Sequence, residues 1–303
     1  MTMAIKLPSR APTRRAARHR SADDSPVVYL RGVPLSAISE PQCVAAMMQE
    51  LDAGRGGWAI TPNLEILRQA VADPAKMRLV RRAKILLADG MTLVWASRIQ
   101  GTPLPQRVCG SNLIHSLSEA AATRGRSVFL LGGAGNTADR AAKALVDRYP
   151  QLKVAGTYTP PFGFENDPHE MQRIIHAVDT AQPDIVYVAL GFPKAERLIE
   201  KIRCVQPRAW WIGVGISFSF LCGDVRRAPC WMQRIGLEWF HRLLQEPRRL
   251  SKRYLVHGIP FAFSLLLSSS YQRIARQARG ASNRRAWTTP YDRPQTQPWA
   301  WRV

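Results

Sequence analysis

The sequence predicts an α/β fold: a Rossmann-like, mostly parallel sheet with flanking helices, followed by a basic, amphipathic helical C-terminal segment. Two observations carry this. Short apolar runs at 127–131, 153–158, 184–190 and 210–216 alternate with stretches of helical spacing, the pattern of βαβ units and a parallel sheet. In the first half, polar residues follow directly on apolar runs: Thr61 and Asn63 after 58–60, Asp89 after 85–88. Strand ends of open α/β sheets present such side chains to a ligand crevice.

In chain order, residues 1–25 are rich in Arg, Ala and Pro without periodicity, and read as a disordered basic arm. An α/β domain spans 26–223. It opens with a short hairpin near 27–36, then a helix at 41–51 closed by Gly54 to Gly57. A strand at 58–60, a helix at 64–72, a strand at 85–88 and helices at 93–100 and 113–124 follow. The 127–131 strand runs into Gly132-Gly133-Ala134-Gly135-Asn136 and a helix to Arg148. The strand at 153–158 leads to a helix at 171–178. The strand at 184–190 ends in Gly191-Phe192-Pro193-Lys194, ahead of a helix at 196–202 and the strand at 210–216. From Trp231 the character changes: Leu237, Phe240, Leu243 and Leu244 interleave with Arg242, Arg248, Arg249, Lys252 and Arg253. An apolar stripe beside a basic face suits either a membrane surface or packing on the core, and Pro247 should interrupt the helix. This helical segment spans 224–270. A basic tail at 271–303, with Trp287, Trp299 and Trp301, is expected to be loose.

At 303 residues and 46% hydrophobic content the chain buries a substantial core, which excludes disorder for its bulk. Its net charge of +21 is uneven. Residues 1–20 hold +6 and residues 224–303 hold +11, leaving +4 for the middle. Basic ends on a near-neutral body point to an anionic partner, either nucleic acid or an anionic membrane surface. Five scattered cysteines form no pair motif, so neither a zinc site nor a disulfide framework is indicated. The longest apolar stretch, 259–267, is too short for a membrane span and contains Pro260. No secretory signal is expected at the basic N-terminus.

Asp89 has two uses open to it. A carboxylate at a strand end is placed for general-base work on a hydroxyl, and Asp is equally a common helix cap. The Gly132-Gly133 turn offers backbone amides and a helix N-terminus to a phosphate, although it is not the full dinucleotide fingerprint and no Walker Gly-Lys-Ser/Thr follows. Lys194 is a second cationic strand-end position. No Asp-x-Asp occurs, so charge stabilisation would come from Arg, Lys and backbone amides instead of a carboxylate-held metal.

These stretches together resemble the WecG/TagA/CpsF glycosyltransferases of bacteria. The resemblance rests on Thr61-Pro62-Asn63, Ala88-Asp89-Gly90-Met91, the run from Pro103 through Arg107 to Gly110, and the run from Phe129 to Gly133. It continues through Leu190 to Lys194, Gly213-Val214-Gly215 and Arg227-Ala228-Pro229, and closes on the signature from Leu237 to Arg249. It covers about residues 27–263. It implies an inverting transfer, without metal or other cofactor, from a UDP-sugar donor to a polyprenyl-diphosphate-linked acceptor. Carried onto this chain, Asp89 is the general base, with Thr61, Asn63 and Arg107 in its pocket. Arg242, Arg249 and Arg253 would meet the acceptor diphosphate and the membrane, from the cytoplasmic side, as a peripheral protein. Three positions differ from the family pattern: Ala195 stands for the Gln of Pro-Lys-Gln-Glu, Asn112 for the Asp of Gly-x-Asp, and Ser219 for the Asp of Phe-Asp-Phe. They imply a different sugar or a weakened copy; the intact Thr61, Asn63, Asp89 and Arg107 imply an active enzyme.

A basic nucleic-acid-binding protein is the rival reading, since phosphate contact and tryptophan stacking would suit the ends. Charge confined to the ends and the lack of a recognised motif speak against it. A nucleotide-cofactor oxidoreductase lacks its glycine fingerprint. Self-association is left open.

Overall fold

The structure, a computed structural model, describes residues 26–286. The basic arm and the tail tryptophans lie outside the described residues.

A hairpin of β1 (Val27–Leu30) and β2 (Val33–Ser36) opens the fold, antiparallel from Val27 opposite Ser36 to Leu30 opposite Val33. Helix α1 (Glu40–Asp52) starts at a capping box, in which the Ser39 hydroxyl accepts from the Gln42 N–H and the Gln42 side chain accepts from the Ser39 N–H. Then come β3 (Gly57–Ile60), α2 (Leu64–Ala72), α3 (Pro74–Arg81), β4 (Ile85–Leu86), α4 (Met91–Ile99) and α5 (Gly110–Thr123). The second half supplies β5 (Ser127–Gly132), α6 (Thr137–Arg148), β6 (Lys153–Tyr158), α7 (Pro168–Ala181), β7 (Ile185–Ala189), α8 (Lys194–Ile202), β8 (Trp210–Gly213) and α9 (Ser217–Leu221).

Two expected strands shorten. The run at 85–88 is a two-residue strand, although the Leu87 and Asp89 N–H groups still bond the Ile60 and Pro62 carbonyls, so the chain keeps following β3. The run at 210–216 ends at Gly213, because Gly215 takes φ 58° and turns the chain into α9. Helix α3 lies where no separate element was expected; Asp73 caps it by accepting from Ala75 and Lys76, with Pro74 at its first position.

Six strands form one all-parallel sheet in the order β4-β3-β8-β7-β5-β6. Both faces are covered, so the central strands are apolar throughout. Val128, Leu130, Ile185, Tyr187, Trp210 and Ile212 pack with α1, α5, α6 and α9. Phe129, Leu131, Val186, Val188 and Trp211 pack on the other side with α2, α4, α7 and α8. The helices leaving β3 and β8 therefore lie on opposite faces, as do those leaving β5 and β7. Each such reversal opens a crevice beyond the carboxyl ends of the strands.

The C-terminal segment holds α10 (Cys230–Arg234), α11 (Glu238–Gln245), α12 (Pro247–Ser251), a π-helical stretch (Lys252–Gly258) and α13 (Ile259–Ala286). Pro247 opens α12 and ends α11, as a residue without an N–H should. Helix α13 packs on α4 and α2 and runs past residue 270, through the first part of the stretch expected to be loose. No proline occurs between Pro260 and Pro290, and Arg, Gln and Ala recur there, which are good helix formers. Among the described residues, no helix is long and apolar enough to cross a membrane.

Candidate active site

The crevice at β3 and β8 gathers most of the sequence-predicted residues. Thr61 leaves β3 buried, and Gly110 at the start of α5 comes so close that an added Cβ would stand 3.3 Å from the Thr61 Oγ1 and 3.2 Å from the Val214 Cα. A side chain here would force a neighbour to shift, so glycine suits the close meeting of three chain segments. Asp89 leaves the edge beyond β4. Gly90, not Asp89, caps α4, and it does so without a side-chain bond. The capping use is thereby removed. Among the described residues the Asp89 carboxylate has no hydrogen-bond or ion-pair partner. Burial pushes its carboxyl up to about 6; Arg107, Arg227 and Arg242 oppose this, and the Glu238 carboxylate reinforces it.

Arg107 is brought alongside by the segment before α5, whose Val108 N–H bonds the Ala88 carbonyl at 2.9 Å. Its guanidinium does not pair with Asp89. It donates to the Glu238 Oε2 on α11 at 2.6 Å, with side-chain exposures of 12% and 18%. Arg227 stands at the same carboxylate, its Nε 3.6 Å from Oε1, and donates to the Asn112 Oδ1 at 2.6 Å. Asn112 thus keeps a contact that the family's carboxylate would make as an ion pair. The Cys109 thiol sits between, 3.6 Å from Arg107 and 3.4 Å from Arg227. Arg242, on α11, lies with its guanidinium 6.0 Å from the Phe220 ring centroid. The Nε groups of Arg227, Arg242 and Arg253 are buried without a hydrogen bond among the described residues. Buried donors in this state are unusual, and several guanidiniums together suit an anion of more than one charge.

Not every predicted residue joins this cluster. The Asn63 Oδ1 caps α2, accepting from Glu65 and Ile66 at 3.1 and 3.0 Å, so only its amide NH2 remains for a ligand. Arg253 stands near the first turn of α2, where it lowers the Glu65 carboxyl. Arg249 is exposed and pairs with Glu246. Ser219 lies half-buried in α9, and its carbonyl accepts from the Val225 N–H at 3.3 Å.

Gly132, Gly133 and Lys194 line the other crevice, at β5 and β7. An added Cβ on Gly132 would fall 2.7 Å from the Ala189 carbonyl oxygen, at φ 110°, so no side chain fits. The Thr159 hydroxyl donates to the Gly132 carbonyl at 3.1 Å and starts a loop that carries Phe162 fully exposed. Lys194 lies 5.0 Å from that ring centroid and pairs with Glu165 at 2.5 Å. Between the crevices Glu196 is buried against Gly213, its Oε2 without a hydrogen bond; burial pushes its carboxyl up to about 7. Ala195 beside it is buried in the core.

Sequence reading missed Arg227, Glu238 and Phe162 as site residues. The first two stood inside recognised stretches, but nothing in their spacing ties residue 107 to residue 238. Phe162 carries no sequence signal beyond being an aromatic in a proline-rich turn.

Comparison with known proteins identifies the family. The sequence model of the Glycosyl transferase WecG/TagA/CpsF family matches residues 28–275. An N-acetylglucosaminyldiphosphoundecaprenol N-acetyl-beta-D-mannosaminyltransferase of Bacillus spizizenii strain W23 is 35% identical over 199 residues, covering 66% of this chain and 75% of that protein. The protein of the same description from Bacillus subtilis strain 168 is 32% identical over 201 residues, with the same coverage of each. The chain belongs to the WecG/TagA/CpsF family of glycosyl transferases.

Proposed function

We propose that this protein is an inverting glycosyltransferase that moves a sugar from a UDP-sugar to a polyprenyl-diphosphate-linked acceptor in cell-surface polysaccharide synthesis. The observation that carries this reading is Asp89: an unpaired carboxylate at a strand end, raised by burial and ringed by guanidinium groups. Asp89 takes the proton of the acceptor hydroxyl while that oxygen attacks the anomeric carbon. The bond from that carbon to the UDP oxygen breaks on the opposite face, which inverts the configuration. A base whose pKa lies near the working pH suits this proton transfer. Charge growing on the departing diphosphate is met by Lys194 and by the N-terminus of α6 that follows the Gly132-Gly133 turn, without metal; the Gly133 N–H itself is already bonded to the Ala189 carbonyl at 2.9 Å. Phe162 offers its exposed ring to the donor's nucleobase. Beside Asp89, the acceptor's own diphosphate suits Arg227 and Arg242, whose Nε groups are buried without a hydrogen bond among the described residues, with Arg253 farther off near α2. The names of the two Bacillus relatives support an undecaprenyl-diphosphate acceptor ending in N-acetylglucosamine. With Ala195 in place of a glutamine, the donor sugar is a separate matter.

The acceptor's lipid requires a membrane, and α13 supplies a surface for one. Ile259, Phe263, Leu267, Tyr271 and Ile274 are exposed at spacings of four, four, four and three, one stripe of a helix. Arg248, Arg249 and Lys252 are exposed just before it. Apolar side chains flanked by basic ones bind anionic bilayer surfaces. We place the protein on the cytoplasmic face as a peripheral protein on this basis.

The test is UDP release from a panel of UDP-sugars with a polyprenyl-diphosphate-sugar acceptor in vesicles. One donor should turn over, and Asp89→Asn should lower kcat by about 100-fold to 10,000-fold. Full activity in Asp89→Asn would overturn the assignment of the base.

A further inference from the structure

The Arg107–Glu238 pair joins a residue of the catalytic pocket to one in the C-terminal segment, 131 positions later. Arg107 is the cation that acts most strongly on Asp89, yet its hydrogen bond goes to Glu238. Two cations, Arg107 and Arg227, share this one carboxylate, and both are mostly buried. Direct pairing with Asp89 would be the natural alternative for Arg107, because a buried guanidinium seeks a carboxylate. It would also tie up the oxygen that must receive the acceptor's proton.

We propose that Glu238 is a positioning residue for catalysis: it holds Arg107, and with it Arg227, away from Asp89 so that the base stays unpaired. This rests on the reading of Asp89 as the base. The consequence is that the base is complete only when α11 is docked. Gly236, just before α11, lies against Met91 and Trp95 of α4, two residues beyond Asp89. The turn that leads into the helix supplying Glu238 therefore packs on the helix that Asp89 precedes.

The charged and titratable groups facing Asp89 are Arg107 and Cys109 from the segment before α5, Arg227 from the segment before α10, and Glu238 and Arg242 from α11. Removing the Glu238 charge takes away a group that raises the Asp89 pKa. It also releases Arg107 towards Asp89, which lowers that pKa further. Both effects have one sign.

The experiment is the pH profile of kcat/KM, measured with the full chain on vesicles for wild type, Glu238→Gln and Asp89→Asn. Glu238→Gln keeps the shape and should move the acid limb down by roughly 1 pH unit, and lower the plateau at least about 10-fold as the base weakens. Glu238→Asp, which restores the charge, should return the limb towards wild type. A Glu238→Gln limb that stays in place overturns the proposal, whatever happens to the rate, because loss of packing alone does not move a titration. The reading beneath it fails differently: Asp89→Asn would then retain turnover and the wild-type acid limb.

Discussion

Asp89 holds its position against the stability of the fold. Its carboxyl titrates near 6 in the folded protein, against 3.8 for the free side chain. A carboxyl with a raised folded pKa binds more protons folded than unfolded, so stability falls as pH rises from about 4 to 6 and stays lower above it. The 2-unit difference would amount to about 3 kcal/mol in full; one side of the residue faces the crevice, and about 1 kcal/mol is the better expectation. Asp89→Asn should therefore raise Tm by about 2–4 °C at pH 7.5 while abolishing turnover, and the gain should vanish near pH 4. Thermal unfolding of both proteins at the two pH values checks this. The arginines separate in the same way. Arg242→Ala, which removes a half-buried guanidinium near Asp89, should raise the acceptor KM at least about 10-fold, the scale of a lost charged contact. Arg249→Ala, exposed and paired with Glu246, should leave the KM for a short-chain soluble acceptor unchanged and weaken only vesicle binding. Kinetics with the two acceptor types distinguish them.

At the scale of the element, α13 has two faces with separate duties. Leu265 is buried and belongs to the core, whereas Leu267, two residues on, is exposed. Leu265→Ala should cost about 2–5 kcal/mol, since it leaves a cavity beneath the helix, and lower Tm by about 5–15 °C. Leu267→Ser, combined with Phe263→Ser, should leave Tm nearly unchanged and weaken binding to anionic vesicles several-fold. Calorimetry and vesicle sedimentation give the two readouts. Because α13 carries core residues, cutting the chain at residue 224 would damage the fold and the membrane face together; point changes keep them apart. Periodicity made this region recognisable as helical and basic. It could not tell which apolar residues pack on α4, because α4 and α13 are more than 150 positions apart.

Across the whole molecule, the sheet order sets where chemistry occurs. The reversals at β3 with β8 and at β5 with β7 open two crevices on the same edge of the sheet, one with Asp89's cluster and one with the glycine turn. Donor and acceptor groups can then approach each other along that edge. The charge distribution would add orientation: with a near-neutral body and basic residues gathered in the C-terminal segment, that segment is the one an anionic surface would attract. Vesicle binding should fall steeply between 50 and 300 mM salt (about the range over which screening shortens from above 10 Å to well below it), and retention at high salt should depend on the α13 stripe. Cosedimentation across a salt series checks both parts.

By itself the sequence determined the α/β class, the order of the strands and of most helices, and the break at Pro247, and it singled out Thr61, Asp89 and Arg107 as neighbours. These follow from local causes: apolar runs of strand length, helical spacing, and residues such as Gly and Pro that restrict backbone shape. Thr61 and Asp89 were legible because each follows a strand or its extension; Arg107, in the segment before α5, was legible only through the family resemblance. The tertiary structure alone decided that Asn63 caps a helix, that Asp89 does not, that Arg249 is exposed, and that Arg107 pairs with Glu238. Those are outcomes of competition between groups far apart in the chain, where distance and burial choose the partner, and neither quantity is written in residue order.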